Sequence, residues 1–99
     1  TLIFDEIDTG VSGEVASKMA VEFENMGKTI QVIAITHLAQ VAGKGKAHLH
    51  VSKQSTAGKT NTFVQAIEGE ERIDVLAGMI SGEEITQAAK ENAANLLSN

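Results

Sequence analysis

Three carboxylates, Asp5, Glu6 and Asp8, follow directly on the apolar run Leu2-Ile3-Phe4. An apolar strand that ends in Asp-Glu has a specific chemical use. Its first acid can hold Mg²⁺ through water beside nucleotide phosphates. Its second can orient or deprotonate an attacking water. A second apolar run, residues 29–36, leads into Thr36-His37. A histidine at that point can hydrogen-bond a γ-phosphate and sense its presence. The plainer reading is that strand ends carry polar residues because the chain emerges there into solvent.

The elements that must position these residues are legible from period. Leu2-Ile3-Phe4 is continuous apolar sequence, which predicts a strand buried on both faces. Val11, Val15, Met19, Phe23 and Met26 then recur at spacings of four and three, with Ala16 and Ala20 beside them. That is one apolar helix stripe, read as core. Ser12 is its expected N-cap, Glu14 suits the first turn, and Gly27 is its expected stop. Residues 29–36, TIQVIAIT, predict a second buried strand. Strand, helix and strand make a right-handed βαβ unit with parallel strands. Both strands then end on one edge of the sheet, the edge where open α/β sheets bind ligands.

Beyond this unit, residues 38–43 predict a short helix. AHLHVSKQ (47–54) and TNTFVQAI (60–67) flank the turn signal STAGK and predict an antiparallel hairpin. Residues 69–80 predict a helix with Ile73, Leu76, Ala77 and Ile80 inward. Ser81 and Glu84 read as a capping box for a last helix that buries Ile85, Ala88, Ala89, Ala93 and Leu96. The fold class is therefore α/β.

Composition narrows the function. The chain has 99 residues, 42% of them apolar, with three Phe and no Trp or Tyr. It is one domain or part of one, with an aliphatic core. A net charge of −5 argues against a surface dominated by nucleic-acid phosphate contacts. The absence of cysteine removes disulfides and thiolate metal sites and suits a reducing compartment. No run approaches the roughly 20 apolar residues of a membrane helix. The N-terminus has no signal-peptide pattern and no initiator Met, and a piece of a longer protein is expected.

Other polar groups have plainer readings. Gly58-Lys59-Thr60 contains the GKT of a phosphate loop, but the first glycine of G-x-x-x-x-G-K-[ST] would fall at position 53, which is Lys53. It is read as a hairpin turn. His48 and His50 share a strand face, but with His37 and no cysteine they make a poor zinc set. Lys44 and Lys46 are read as a solvated loop. Glu68, Glu70 and Glu71 suit a helix N-terminus.

TLIFDEIDTGVSG resembles the Walker B strand, catalytic glutamate and D-loop of the ATP-binding-cassette ATPases, in the form of their SMC-like chromosome-maintenance branch. VIAITHLAQVA resembles that branch's switch-histidine segment. With the HxxVSK-type strand and EGEERIDVLAGMI, the chain is most similar to a bacterial DNA-repair ATPase of this branch. The resemblance implies that residues 1–99 are the C-terminal part of an ABC-type P-loop NTPase head. The P-loop, Q-loop and signature motif, which precede Walker B in that family, are not among these residues. By the same resemblance Asp5 supports Mg²⁺, Glu6 is the catalytic glutamate and His37 is the switch histidine. Thr9, Gly10, Val11 and Ser12 form the D-loop, which crosses to the partner, and Asp8 is a support residue. The implied cofactors are ATP and Mg²⁺. The implied partners are a second head, joined head to tail, and DNA, reached through the intact protein in double-strand-break repair. The implied place is the cytoplasm, at the nucleoid. Two readings remain beside this one. They are a non-catalytic α/β interaction domain and a divalent-metal phosphohydrolase using Asp5, Glu6, Asp8 and His37.

Overall fold

Strand β1, Leu2–Asp5, pairs in parallel with β2, Val32–Ile35, and helix α1, Gly13–Met26, connects them. This computed structural model describes residues 1–7, 9–82 and 84–98. The pairing sets Leu2 opposite Val32 and Asp5 opposite Ile35. Ser12 caps α1 as its sequence predicts, its Oγ accepting the Val15 amide at 3.3 Å. Gly27 closes the helix with right-handed backbone (φ −64°), so the left-handed freedom of glycine is not used there.

The expected α1 stripe is narrower than its spacing suggests. Ala16 and Ala20 are fully buried with Val41, flanked by Val11, Phe23 and Leu38, while Val15 is exposed. Two small residues at i and i+4 let the helix approach closely, and Phe23 then stacks on Phe4 with ring centroids 4.6 Å apart. The strands are not buried on both faces. Ile3 is 65% exposed, and Ile33 and Ile35 are also exposed. One helix can cover one sheet face, and among the described residues each strand pairs only with the other. β2 is also shorter than residues 29–36, because the Thr29 and Ile30 amides turn back to the Met26 carbonyl, each at 3.1 Å.

A single-turn helix follows, α2, Ala39–Ala42, then the hairpin of β3, His48–Thr56, and β4, Lys59–Ile67. Ala57 (φ +51°) and Gly58 (φ +78°) form its two-residue turn, the left-handed pair that matches hairpin twist. The GKT sequence is thus a turn and a strand start, as read. The chain ends in helices α3, Glu70–Ser81, and α4, Gln87–Ser98. Leu76, Ala77, Ala89 and Ala93 form their buried core, with Ile73, Leu96, Leu97 and Ala42 packed against it.

Two details of this end correct the sequence reading. Ser81 is the last residue of α3 and caps nothing. Its hydroxyl lies within donating distance of two carbonyls, Glu84 at 2.8 Å and Ala77 at 3.0 Å, and Gly82 (φ +78°) ends the helix. The cap of α4 is instead Thr86, whose Oγ1 accepts the Ala89 amide at 3.1 Å. Starting the helix later leaves Ile85 outside it and 42% exposed, with Ala88 exposed too. Ile80 likewise points away from the core. No described helix is long and apolar enough to cross a membrane.

Two substitutions test this packing. Ala57 holds a left-handed backbone that costs an alanine ~1 kcal/mol, and asparagine tolerates it better. Ala57→Asn should stabilise the chain by about 0.5–1 kcal/mol, read as a higher denaturation midpoint. A lowered midpoint would contradict the turn geometry. Gly43 closes α2 where a Cβ would lie 2.8 Å from Leu96 Cβ and 3.1 Å from the Ala39 carbonyl. Gly43→Ala should destabilise by about 1–3 kcal/mol, because neither atom is the free end of a side chain.

Candidate functional site

The β1–β2 ladder runs one bond past the strands, with the Glu6 amide donating to the Ile35 carbonyl at 2.8 Å. The chain then turns sharply. Glu6 has φ +51°, a left-handed backbone rare for a glutamate. The turn is held by Thr9, whose amide (3.3 Å) and hydroxyl (2.9 Å) both donate to the Glu6 carbonyl. Gly10 (φ +80°) takes the chain onward to the Ser12 cap. This positive φ favours the glycine that the sequence supplies.

On the neighbouring strand, Thr36 Oγ1 accepts the Leu38 amide at 3.0 Å and so bends the chain into α2. His37 lies at the apex of that bend and is exposed. Since Asp5 is opposite Ile35 in a parallel pair, Glu6 stands beside Thr36, and His37 is one residue further. Parallel strands lie about 4.8 Å apart. Asp5, Glu6 and His37 therefore share one edge, as their sequence positions predict. Thr9, Gly10 and Ser12 are exposed beside it, while Val11 is half-buried against α1 and Val41. Asp8 lies outside the described residues.

Gln40 of α2 reaches the start of α1 and was not singled out from sequence. Its Nε2 lies 3.5 Å from where a Cβ on Gly13 would stand, at the start of α1. Its neighbours carry no signal that marks it. His48, by contrast, belongs elsewhere. Its Nδ1 accepts the Arg72 Nε–H at 2.8 Å, and its Nε2 meets the Ala42 carbonyl. His50 and Lys59 lie on the hairpin. Two shallow grooves lie elsewhere, one bordered by Arg72, Ile73 and Leu97 and one by His48, Leu49 and Ile67.

The edge therefore offers two adjacent, solvent-facing carboxylates and one imidazole. Among the described residues no three or more His, Cys, Asp or Glu converge as a metal cage. That donor set does not suit Zn²⁺, which takes three or four protein ligands. It fits Mg²⁺, which keeps several waters and takes one or two carboxylates together with substrate phosphates.

No family model matches the chain. Curated relatives named DNA repair protein RecN do. The protein of Halalkalibacterium halodurans is 43% identical over 97 residues, covering 98% of this chain and 17% of the relative. That of Vibrio cholerae is 43% identical, covering 98% of this chain and 18% of the relative. That of Bacillus subtilis is 40% identical, covering 98% and 17%. The chain thus spans under a fifth of the length of the curated relatives it matches. The expected likeness to a bacterial DNA-repair protein is borne out, since nearly the whole chain is similar to a segment of DNA repair protein RecN.

Proposed function

We propose that residues 1–99 are the C-terminal portion of an SMC-like, ABC-type ATPase head, and that the intact protein hydrolyses ATP in DNA double-strand-break repair. The observation that carries this reading is the shared edge, where Glu6 follows β1 and His37 follows β2 in one parallel register. The relatives, DNA repair proteins by name, support the repair role.

In this reading Asp5 would hold a hydrated Mg²⁺, which would supply positive charge to the nucleotide's phosphates. Glu6 accepts a proton from the attacking water, and the turn held by Thr9 fixes where its carboxylate leaves the backbone. His37 donates a hydrogen bond to the γ-phosphate. Thr9, Gly10 and Ser12 present an exposed loop to a second head, joined head to tail, while Val11 anchors that loop in the α1 cluster. DNA is engaged through the intact protein, at the nucleoid.

In the full-length protein, Glu6→Gln should keep ATP affinity and slow turnover by ~10²–10⁴-fold, because an amide cannot take the proton. ATP-bound dimers should accumulate on a sizing column. Near-normal turnover would remove Glu6 from the mechanism and favour a non-catalytic interaction domain. His37→Ala should also lower turnover with affinity kept. The 99-residue chain alone should show no micromolar binding of Mg-ATP by titration calorimetry. Most of a nucleotide's grip comes from the backbone N–H groups and lysine of a P-loop, which these residues lack. Micromolar affinity would show that they already form a whole nucleotide site.

A further inference from the structure

Arg72 stands in the first turn of α3, far from the carboxylate edge, yet its guanidinium is tied to the segment that follows His37. Its Nε donates to His48 Nδ1 at 2.8 Å, and a terminal nitrogen donates to the Gly45 carbonyl at 2.7 Å. The same imidazole uses its other nitrogen on the Ala42 carbonyl, at the end of α2. His48 therefore carries its proton on Nε2, donating to Ala42 and accepting from Arg72. The three contacts are half-buried.

The choice of partners is informative. Glu68, Glu70 and Glu71 lie within four residues of Arg72, but the ion pairs among the described residues join Lys18 to Glu14 and Lys90 to Asp74. The rigid fork of the guanidinium is spent on a neutral ring and a carbonyl, which fixes geometry. What it fixes is α2, a single turn between Leu38 and Gly43. The Ala42 and Gly43 amides donate to the Leu38 and Ala39 carbonyls at 3.0 and 2.8 Å, so the turn is one hydrogen-bonded unit. His37 is the residue just before it.

We infer that Arg72, acting through His48 and the end of α2, is a positioning residue for His37. This rests on the reading of His37 as the γ-phosphate contact. The Arg72–His48 pair makes the placement of His37 depend on how the hairpin and α3 sit. A load on those two elements then reaches the hydrolytic edge through α2.

The test is a double-mutant cycle in the full-length protein, with ATP turnover and ATP affinity measured separately. Arg72→Ala should lower turnover on the order of 10- to 100-fold, the cost of a misplaced group, with affinity kept. Arg72→Lys should be no better than about 2-fold above Arg72→Ala, since an ammonium keeps the charge without the fork. In a His37→Ala background, Arg72→Ala should cost nothing further. Equal losses in both backgrounds would overturn the inference, because a structural defect multiplies. So would full activity of Arg72→Ala. If Arg72→Ala does not fold, His48→Leu replaces it in the cycle with the same expectations, since leucine fills similar space and offers neither an acceptor for Arg72 nor a donor for Ala42. A wild-type rate for His37→Ala alone would instead sink the γ-phosphate reading, and this inference with it.

Discussion

The register of β1 against β2 is the constraint on which the placement of Asp5, Glu6 and His37 depends. Asp5 is opposite Ile35, and the ladder continues through the Glu6 amide. A slip of one residue would move His37 about 3.3 Å along the edge and turn every strand side chain to the opposite face. Only one face of this small sheet resists such a slip. Phe4 is on it, stacked on Phe23, and α1 comes close enough for that contact because Ala16 and Ala20 present no bulk. The aromatic pair therefore does more than bury area. It ties the strand that ends in the acids to the helix that begins at the Ser12 loop.

The rest of the structure is joined to that unit through very little material. Val41 belongs to the α1 cluster, and the next residue, Ala42, packs on the α3–α4 core. Two consecutive residues of a four-residue helix thus face two different cores. Both cores are built largely of alanine, and Leu76 is the one large side chain named as fully buried among the described residues. A buried leucine is worth about 1.5–3 kcal/mol, and an alanine contributes much less. Neither cluster has much energy to spare for holding α2 against a displacement. The hydrogen bonds at its end, from His48 and through Gly45 from Arg72, matter more here than they would beside a thick core.

Period and turn chemistry made the order of elements legible. The switch from continuous apolar sequence to four-and-three spacing located β1 and α1, and the left-handed Ala57–Gly58 turn lies where STAGK predicts it. Burial was less legible, because a pattern says which residues are apolar and not whether anything covers them. Ile3 and Ile33 fit a doubly buried strand in sequence and are exposed here for want of a cover. The capping box failed for a different reason. Ser81 stays within α3 as its last residue, its hydroxyl facing the Ala77 and Glu84 carbonyls, and the next helix starts late enough that Thr86 caps it. The shared edge of Asp5, Glu6 and His37 followed from topology alone. The Arg72–His48 contact did not, since it joins residues 24 positions apart whose meeting depends on the hairpin register.

Among the described residues two other than glycine hold a left-handed backbone, Glu6 and Ala57, and the contrast between them is informative. Such a conformation costs roughly 1–2 kcal/mol, and glycine would avoid it. At Ala57 the hairpin turn alone accounts for it, so strain by itself identifies nothing. At Glu6 the strained residue also carries a long acidic side chain. Its carbonyl is held by both polar groups of Thr9, and its amide completes the ladder to Ile35. A glycine would make the same backbone contacts with less strain and no carboxylate. What a glutamate adds at this position is a carboxylate, which those backbone contacts do not need. Its stability cost falls on the one residue of the edge whose proposed task, taking a proton from water, needs a fixed point of departure from the backbone.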